Sequence, residues 1–127
     1  MKRVVLSICN SLVSEAVFVA LKKSGFVVNI SPSNKAEDVS KCCDIYFANI
    51  LVMDVTRSNN CLFEKRKALI ETLKKHNNEI KICLLCDNVS DPQIADQIKR
   101  IKEEKLIDAF FYESVSTDYI VDVLDTI

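Results

Sequence analysis

Apolar positions follow two alternating rhythms along this chain. Residues 4–8, 26–30, 45–55, 81–85 and 109–112 hold short, mainly apolar runs rich in Val, Ile, Leu and Phe, the pattern of strands buried on both faces. Between the runs, apolar residues return every three or four positions, which is helical spacing. One such series is Leu12, Val13, Ala16, Val17, Ala20 and Leu21; a second is Leu62, Phe63, Leu69, Ile70 and Leu73. Ile94, Ile98 and Ile101 form a third, and Ile120, Val121, Leu124 and Ile127 a fourth. A shorter helix is predicted to end near Cys43.

The boundaries carry their own signals. Ser11 is placed to cap the first helix, with Lys22 and Lys23 in its last turn and Gly25 at the C′ position. Asn34 and Glu37 have the spacing of a capping box. Asp91 followed by Pro92 is a cap with proline at the first helical position. Ser116 or Thr117 caps the last helix. Strand then helix, repeated five times over the chain, predicts an α/β fold: a parallel sheet with helices on both faces and right-handed crossovers. Sheets of this kind place their functional crevice beyond the C-terminal strand ends. Asp54, directly after Ile50 to Met53, stands at such an end.

Composition narrows the function classes. The length of 127 residues suits a single domain with a substantial core. Lys plus Arg number 17 against 18 Asp plus Glu, so the basic excess of an electrostatic nucleic-acid binder is missing. No apolar run is long enough to span a bilayer and no secretory signal is legible, which predicts a cytoplasmic protein. In that compartment the six cysteines are expected as mostly free thiols. The single glycine, Gly25, excludes phosphate-cradling and dinucleotide-binding loops, which speaks against a small flavodoxin-like enzyme or cofactor binder.

Few residues carry candidate chemistry. Asp54 can be a helix cap, a metal ligand, a nucleophile or a structural acid. Cys83 and Cys86, in CLLC, lie on a strand where positions three apart face opposite sides; that disfavours a redox or zinc pair and favours two core cysteines. Cys61, in the polar segment after Asp54, is expected as the exposed thiol. Cys42 and Cys43 are adjacent, where a bridge would be strained. His76 falls near a helix C-terminus, where a cation is favoured, and no partner for catalysis is apparent. The mixed-charge KRIKEEK, residues 99–105, reads as a solvated helix face.

Three segments, RVVLSICNSLVSEAV (residues 3–17), NILVMDV (residues 49–55) and AFFYESVSTDYIVDVL (residues 109–124), together resemble the receiver domain of bacterial response regulators, and the first is most similar to receivers that precede helix-turn-helix outputs. The resemblance spans nearly the whole chain. It implies a flavodoxin-like (βα)5 three-layer sandwich of strand order 2-1-3-4-5, and one receiver-like domain over residues 1–127. It puts Asp54 on the phosphoacceptor position and Phe110 on the aromatic switch position of the fifth strand. The family's other signature residues are an acid pair that helps hold Mg²⁺, a hydroxyl ending the fourth strand and a lysine ending the fifth. Here these positions hold Ile8 and Cys9, Cys86, and Glu113.

Glu113 would set a like charge against a phosphoryl group, a repulsion of several kcal/mol at an intermediate effective dielectric (roughly 20). The resemblance therefore implies a degenerate receiver, not an enzyme, acting by protein–protein contact. Its contact surface is expected from Ile94 to Ile127, with a homodimer, a protein partner or an output domain. No direct nucleic-acid or membrane contact and no cofactor are expected. Two alternatives stay open. One is a true phosphoacceptor that uses Asp54 with Asn10 or Asp87 near Mg²⁺; the other is a thiol-based sensor.

Overall fold

The computed structural model describes residues 2–127. Five strands form one sheet of order β2-β1-β3-β4-β5, with every neighbouring pair parallel. The strands are β1 (Arg3–Ser7), β2 (Val27–Ile30), β3 (Ile50–Asp54), β4 (Lys81–Cys86) and β5 (Ala109–Tyr112). The helices are α1 (Ser11–Lys23), α2 (Ala36–Ile45), α3 (Phe63–His76), α4 (Pro92–Glu103) and α5 (Thr117–Thr126), and a 3-10 turn, Asn59–Cys61, precedes α3. The expected fold class and strand order are those of the molecule.

Alternation along each strand divides the core in two. On one face Val5, Leu51, Met53, Ile82, Leu84 and Cys86 pack against α2, α3 and α4. On the other, Val4, Leu6, Val52, Cys83, Leu85 and Phe111 pack against α1 and α5. Every residue of β3 is buried, as the central strand of a sheet covered on both sides should be. Each Leu or Ile so buried contributes about 1.5–3 kcal/mol. Cys83 and Cys86 face opposite layers and are free, as the spacing requires.

Some boundaries differ from the sequence expectations. Asn10, not Ser11, caps α1: its side chain accepts from the N–H groups of Leu12 and Val13. Lys35 precedes α2 with no side-chain cap, because Asn34 accepts from the Ser7 hydroxyl at 2.7 Å instead of closing a capping box. The same helix runs past Cys43 to Ile45. Leu62 is partly exposed and stands just before α3. Gly25 has φ +91°, the left-handed conformation that closes α1 and that glycine adopts without strain. Asp91 and Ser116 cap α4 and α5.

At the N-terminal end of the sheet polar groups tie the strands together. Asn49 accepts from the Arg3 N–H at 2.8 Å through its side chain, and its carbonyl accepts from Lys81 N–H. Asp108 accepts from the Ile82 N–H at 2.8 Å and pairs with Lys74 and Lys81. Lys2 reaches the last carbonyls of α5, where a cation is favoured.

Candidate functional site

The opposite end of the sheet is organised by Asp54 at the tip of β3. Its carboxylate is fully buried. Oδ1 accepts from the Cys9 N–H at 2.9 Å and Oδ2 from the Asn10 N–H at 3.2 Å. Those two amides open the β1–α1 turn, so the carboxylate also faces the positive end of the α1 dipole. Arg66, 1% exposed, donates to Oδ1 from Nη2 at 3.3 Å.

Arg66 is the residue the apolar pattern passed over. It lies three residues before Leu69 and four before Ile70, on the inward stripe of α3, and its position on that stripe was the available signal. Burial lowers the guanidinium pKa, and the Asp54 charge opposes that shift. The fork is satisfied all round. Nε donates to the Asp54 carbonyl at 2.9 Å, Nη1 to Ser7 Oγ at 2.9 Å, and Nη2 to the Ser7 carbonyl at 2.8 Å. Met53 Sδ and Cys61 Sγ complete the shell. Arg66 thus holds β1, β3 and the loop before α3 together, as a planar, permanently charged donor can.

Two cysteine expectations are corrected. Cys61 is not exposed: it is fully buried at the end of the 3-10 turn. It is bonded to Cys9 in a disulfide that spans 52 residues of sequence, with the Cα atoms 6.8 Å apart. The two loops that flank Asp54 are therefore covalently joined above it. The other four cysteines, Cys42, Cys43, Cys83 and Cys86, are buried and free. Burial raises the thiol pKa of Cys43 and of Cys83 to about 12, and of Cys86 to about 11.

The remaining candidates surround this clamp. Ile8 is buried in the core on the α1 side. Cys86 ends β4, and its carbonyl accepts from the Glu113 N–H at 2.9 Å. Asn10, Arg57, Asp87, Asp91 and Glu113 line a cavity of about 300 Å³ beside the clamp. Asn10 spends its side-chain oxygen on the α1 cap. Asp87 accepts from the Val89 and Ser90 N–H groups, and bonds to Ser90 and Val89 lower its pKa. Arg57 pairs with Asp91 at 2.5 Å across the cavity. Glu113 has a raised pKa, first from desolvation and then from the charges of Asp54 and Asp87. Phe110 is half-buried against the α4 layer and meets Tyr112 edge-to-face, with ring centroids 5.9 Å apart.

Comparison with solved structures places this geometry. A response regulator from Thermotoga maritima superposes with a TM-score of 0.77 at 17% identity, over 99% of this chain and 96% of that one. A LuxR-family DNA-binding response regulator from Staphylococcus aureus gives 0.76 at 13% identity, over 99% and 98%. The fold is that of response-regulator receiver domains. An orphan response regulator of H. pylori matches the receiver fold too, with a TM-score of 0.74 at 17% identity over 98% of this chain and 94% of that one. No protein-family model matches the sequence, and no curated protein matches it significantly.

A receiver holds Mg²⁺ beside its phosphoacceptor, and the residues present do not fit that ion. Mg²⁺ demands several oxygen ligands in near-octahedral array. The residues that the sequence resemblance sets at the acid pair, Ile8 and Cys9, are a buried aliphatic and a bridged cysteine, and neither offers an oxygen side chain. Both Asp54 oxygens already accept hydrogen bonds, and a guanidinium stands where a second cation would be repelled. The sulfurs of Cys9 and Cys61 lie within 4.8 Å of an Asp54 oxygen, but a disulfide offers no thiolate to a metal.

Proposed function

We propose that this chain is a receiver-like signalling domain that works by protein–protein contact and does not accept a phosphoryl group at Asp54. One observation carries the reading: the Asp54 carboxylate is fully buried and both its oxygens are engaged by the Cys9 and Asn10 amides and by Arg66. A nucleophile needs an accessible oxygen and room for in-line attack; Oδ1 already accepts two bonds, and the lone pair left on Oδ2 is buried with the rest of the carboxylate. Glu113 adds a negative charge on the side where a receiver presents lysine. This reading does not use the alternative metal site through Asn10 or Asp87, whose Oδ1 atoms accept from nearby backbone N–H groups.

The contact surface in this reading is α4–β5–α5. Its outer side carries Lys99, Arg100, Lys102, Glu103 and Glu104, all exposed, next to the half-buried Phe110 and Tyr112. Such a surface recognises a partner, an output domain or a second copy through complementary charge around an aromatic centre. A DNA-binding output domain would be one such recipient; the similar S. aureus protein is a DNA-binding response regulator.

The test is intact mass after incubation with acetyl phosphate and Mg²⁺, with Asp54→Asn as control. The expected result is no phosphoryl gain. Uptake of one phosphoryl group that disappears in Asp54→Asn would overturn the proposal and make the domain a working phosphoacceptor.

A further inference from the structure

We infer that the Cys9–Cys61 bridge is a thiol–disulfide exchange site, reduced by dithiols and re-formed by disulfides, set directly on the clamp that holds Asp54. The importance of that location rests on the proposed signalling reading; the exchange chemistry itself does not.

The two sulfurs are unequal. Cys9 is partly exposed, whereas Cys61 is fully buried. An attacking thiolate therefore reaches Cys9. The leaving sulfur is then Cys61, whose Sγ lies 3.3 Å from Arg66 Nη2. A neighbouring guanidinium stabilises the departing thiolate, and a stabilised thiolate leaves faster. Direction of attack and stability of the leaving group agree.

The step balances as an exchange. One thiolate of the dithiol attacks Cys9 Sγ; the Cys9–Cys61 bond breaks, and its electron pair goes to Cys61 beside Arg66. The second thiolate of the reductant attacks its own sulfur in the mixed disulfide and releases Cys9, which takes a proton from solvent. Two electrons pass to the domain and the reductant leaves as a disulfide. The four other cysteines take no part, because burial keeps their thiols protonated and out of reach.

The clamp feels the change through shared atoms. Cys9 gives its backbone N–H to Asp54 Oδ1 while its sulfur is bonded to Cys61. Arg66 Nη2 serves both Asp54 Oδ1 and Cys61 Sγ. Reduction frees the Cys9 loop and sets a new anion in competition for Arg66.

The experiment follows alkylation by intact mass and peptide mapping after equilibration in glutathione buffers of graded ratio. The expected result is a reversible gain of two labels, on Cys9 and Cys61, in the native protein. Cys61→Ser should trap a glutathione adduct on Cys9. Cys9→Ser, changed at the more exposed position, should take none on Cys61. Faster reduction by a thioredoxin-type protein dithiol than by dithiothreitol at equal thiol assigns a protein donor; equal rates assign a small thiol. Hydrogen exchange at the Cys9 and Asn10 amides should quicken in the reduced form. Two outcomes overturn the proposal: both cysteines alkylated even in fully oxidised buffer, or a bridge that yields only after denaturation. Neither readout uses phosphoryl transfer, so failure here and failure of the signalling reading are separable.

Discussion

The sheet carries a carboxylate–cation cluster at each end, and the two are built in opposite ways. At the C-terminal end Asp54 and Arg66 have side chains 0% and 1% exposed. At the N-terminal end Asp108 is 25% exposed, with Lys74 at 20% and Lys81 at 45%. Both carboxylates also accept backbone N–H groups, so the difference is solvent. Asp108 sits in a wet ring whose lysines can trade places with water. Asp54 is shut off from solvent, with two backbone amides, one guanidinium and a disulfide overhead. Carboxylates of similar bonding thus differ in how much of the fold depends on them.

The largest expected effect tests that difference directly. Arg66→Met leaves a buried carboxylate without its cation and should cost about 3–5 kcal/mol, read by urea denaturation. The Asp54→Asn/Arg66→Met double variant should recover a good part of that loss, because it removes the orphaned charge. Lys74→Met at the other end should cost no more than about 1 kcal/mol. Equal losses for Arg66→Met and Lys74→Met would break the contrast, since burial would then not distinguish the two ends.

Asp108→Ala gives the intermediate effect. It orphans the Ile82 N–H and frees two lysines, and the expected cost is about 1–3 kcal/mol. Most of it should persist in high salt, because a hydrogen bond to a partly buried amide is screened less than an exposed ion pair. A loss that vanished in salt would make the lysine pairs, not the amide, the reason for this acid.

Much of the fold was legible in the sequence because strands and helices announce themselves by period. β3 and β4 read as mainly apolar runs and are buried on both faces apart from Lys81; Asp91–Pro92 and Gly25 marked helix ends by backbone chemistry alone. The site was legible only in part. The position of Asp54 followed from the strand, yet its partner did not, because a buried arginine violates the rule used to find core residues. Periodicity alone would have placed Arg66 inward with Leu69, Ile70 and Leu73. The Cys9–Cys61 bridge was hidden for a different reason: 52 residues separate the two cysteines, and only the approach of two loops over one strand end brings them into reach. The sequence leaves Asn10 open as a residue near a metal; in the structure its side-chain oxygen caps α1, a use that Asn at such a turn favours.

The smallest expected effect sharpens the picture at the Asp54 end. Glu113 ends β5 and lines the cavity shared with Asn10 and Asp87. Its folded pKa is raised, chiefly by desolvation and then by Asp54 and Asp87. A carboxyl raised above its unfolded value binds more protons in the native state. Its relative contribution is therefore fully present below the unfolded glutamate pKa, and is lost as pH rises through the folded value. Glu113→Gln removes that loss. The variant should match the parent in thermal midpoint under acid conditions and exceed it modestly at neutral pH. Because Glu113 is partly exposed, solvent screens the effect, and it should shrink further with added salt. A variant equally or less stable than the parent at neutral pH would mean that Glu113 is not repelled by the clamp, and that its charge faces the solvent rather than Asp54.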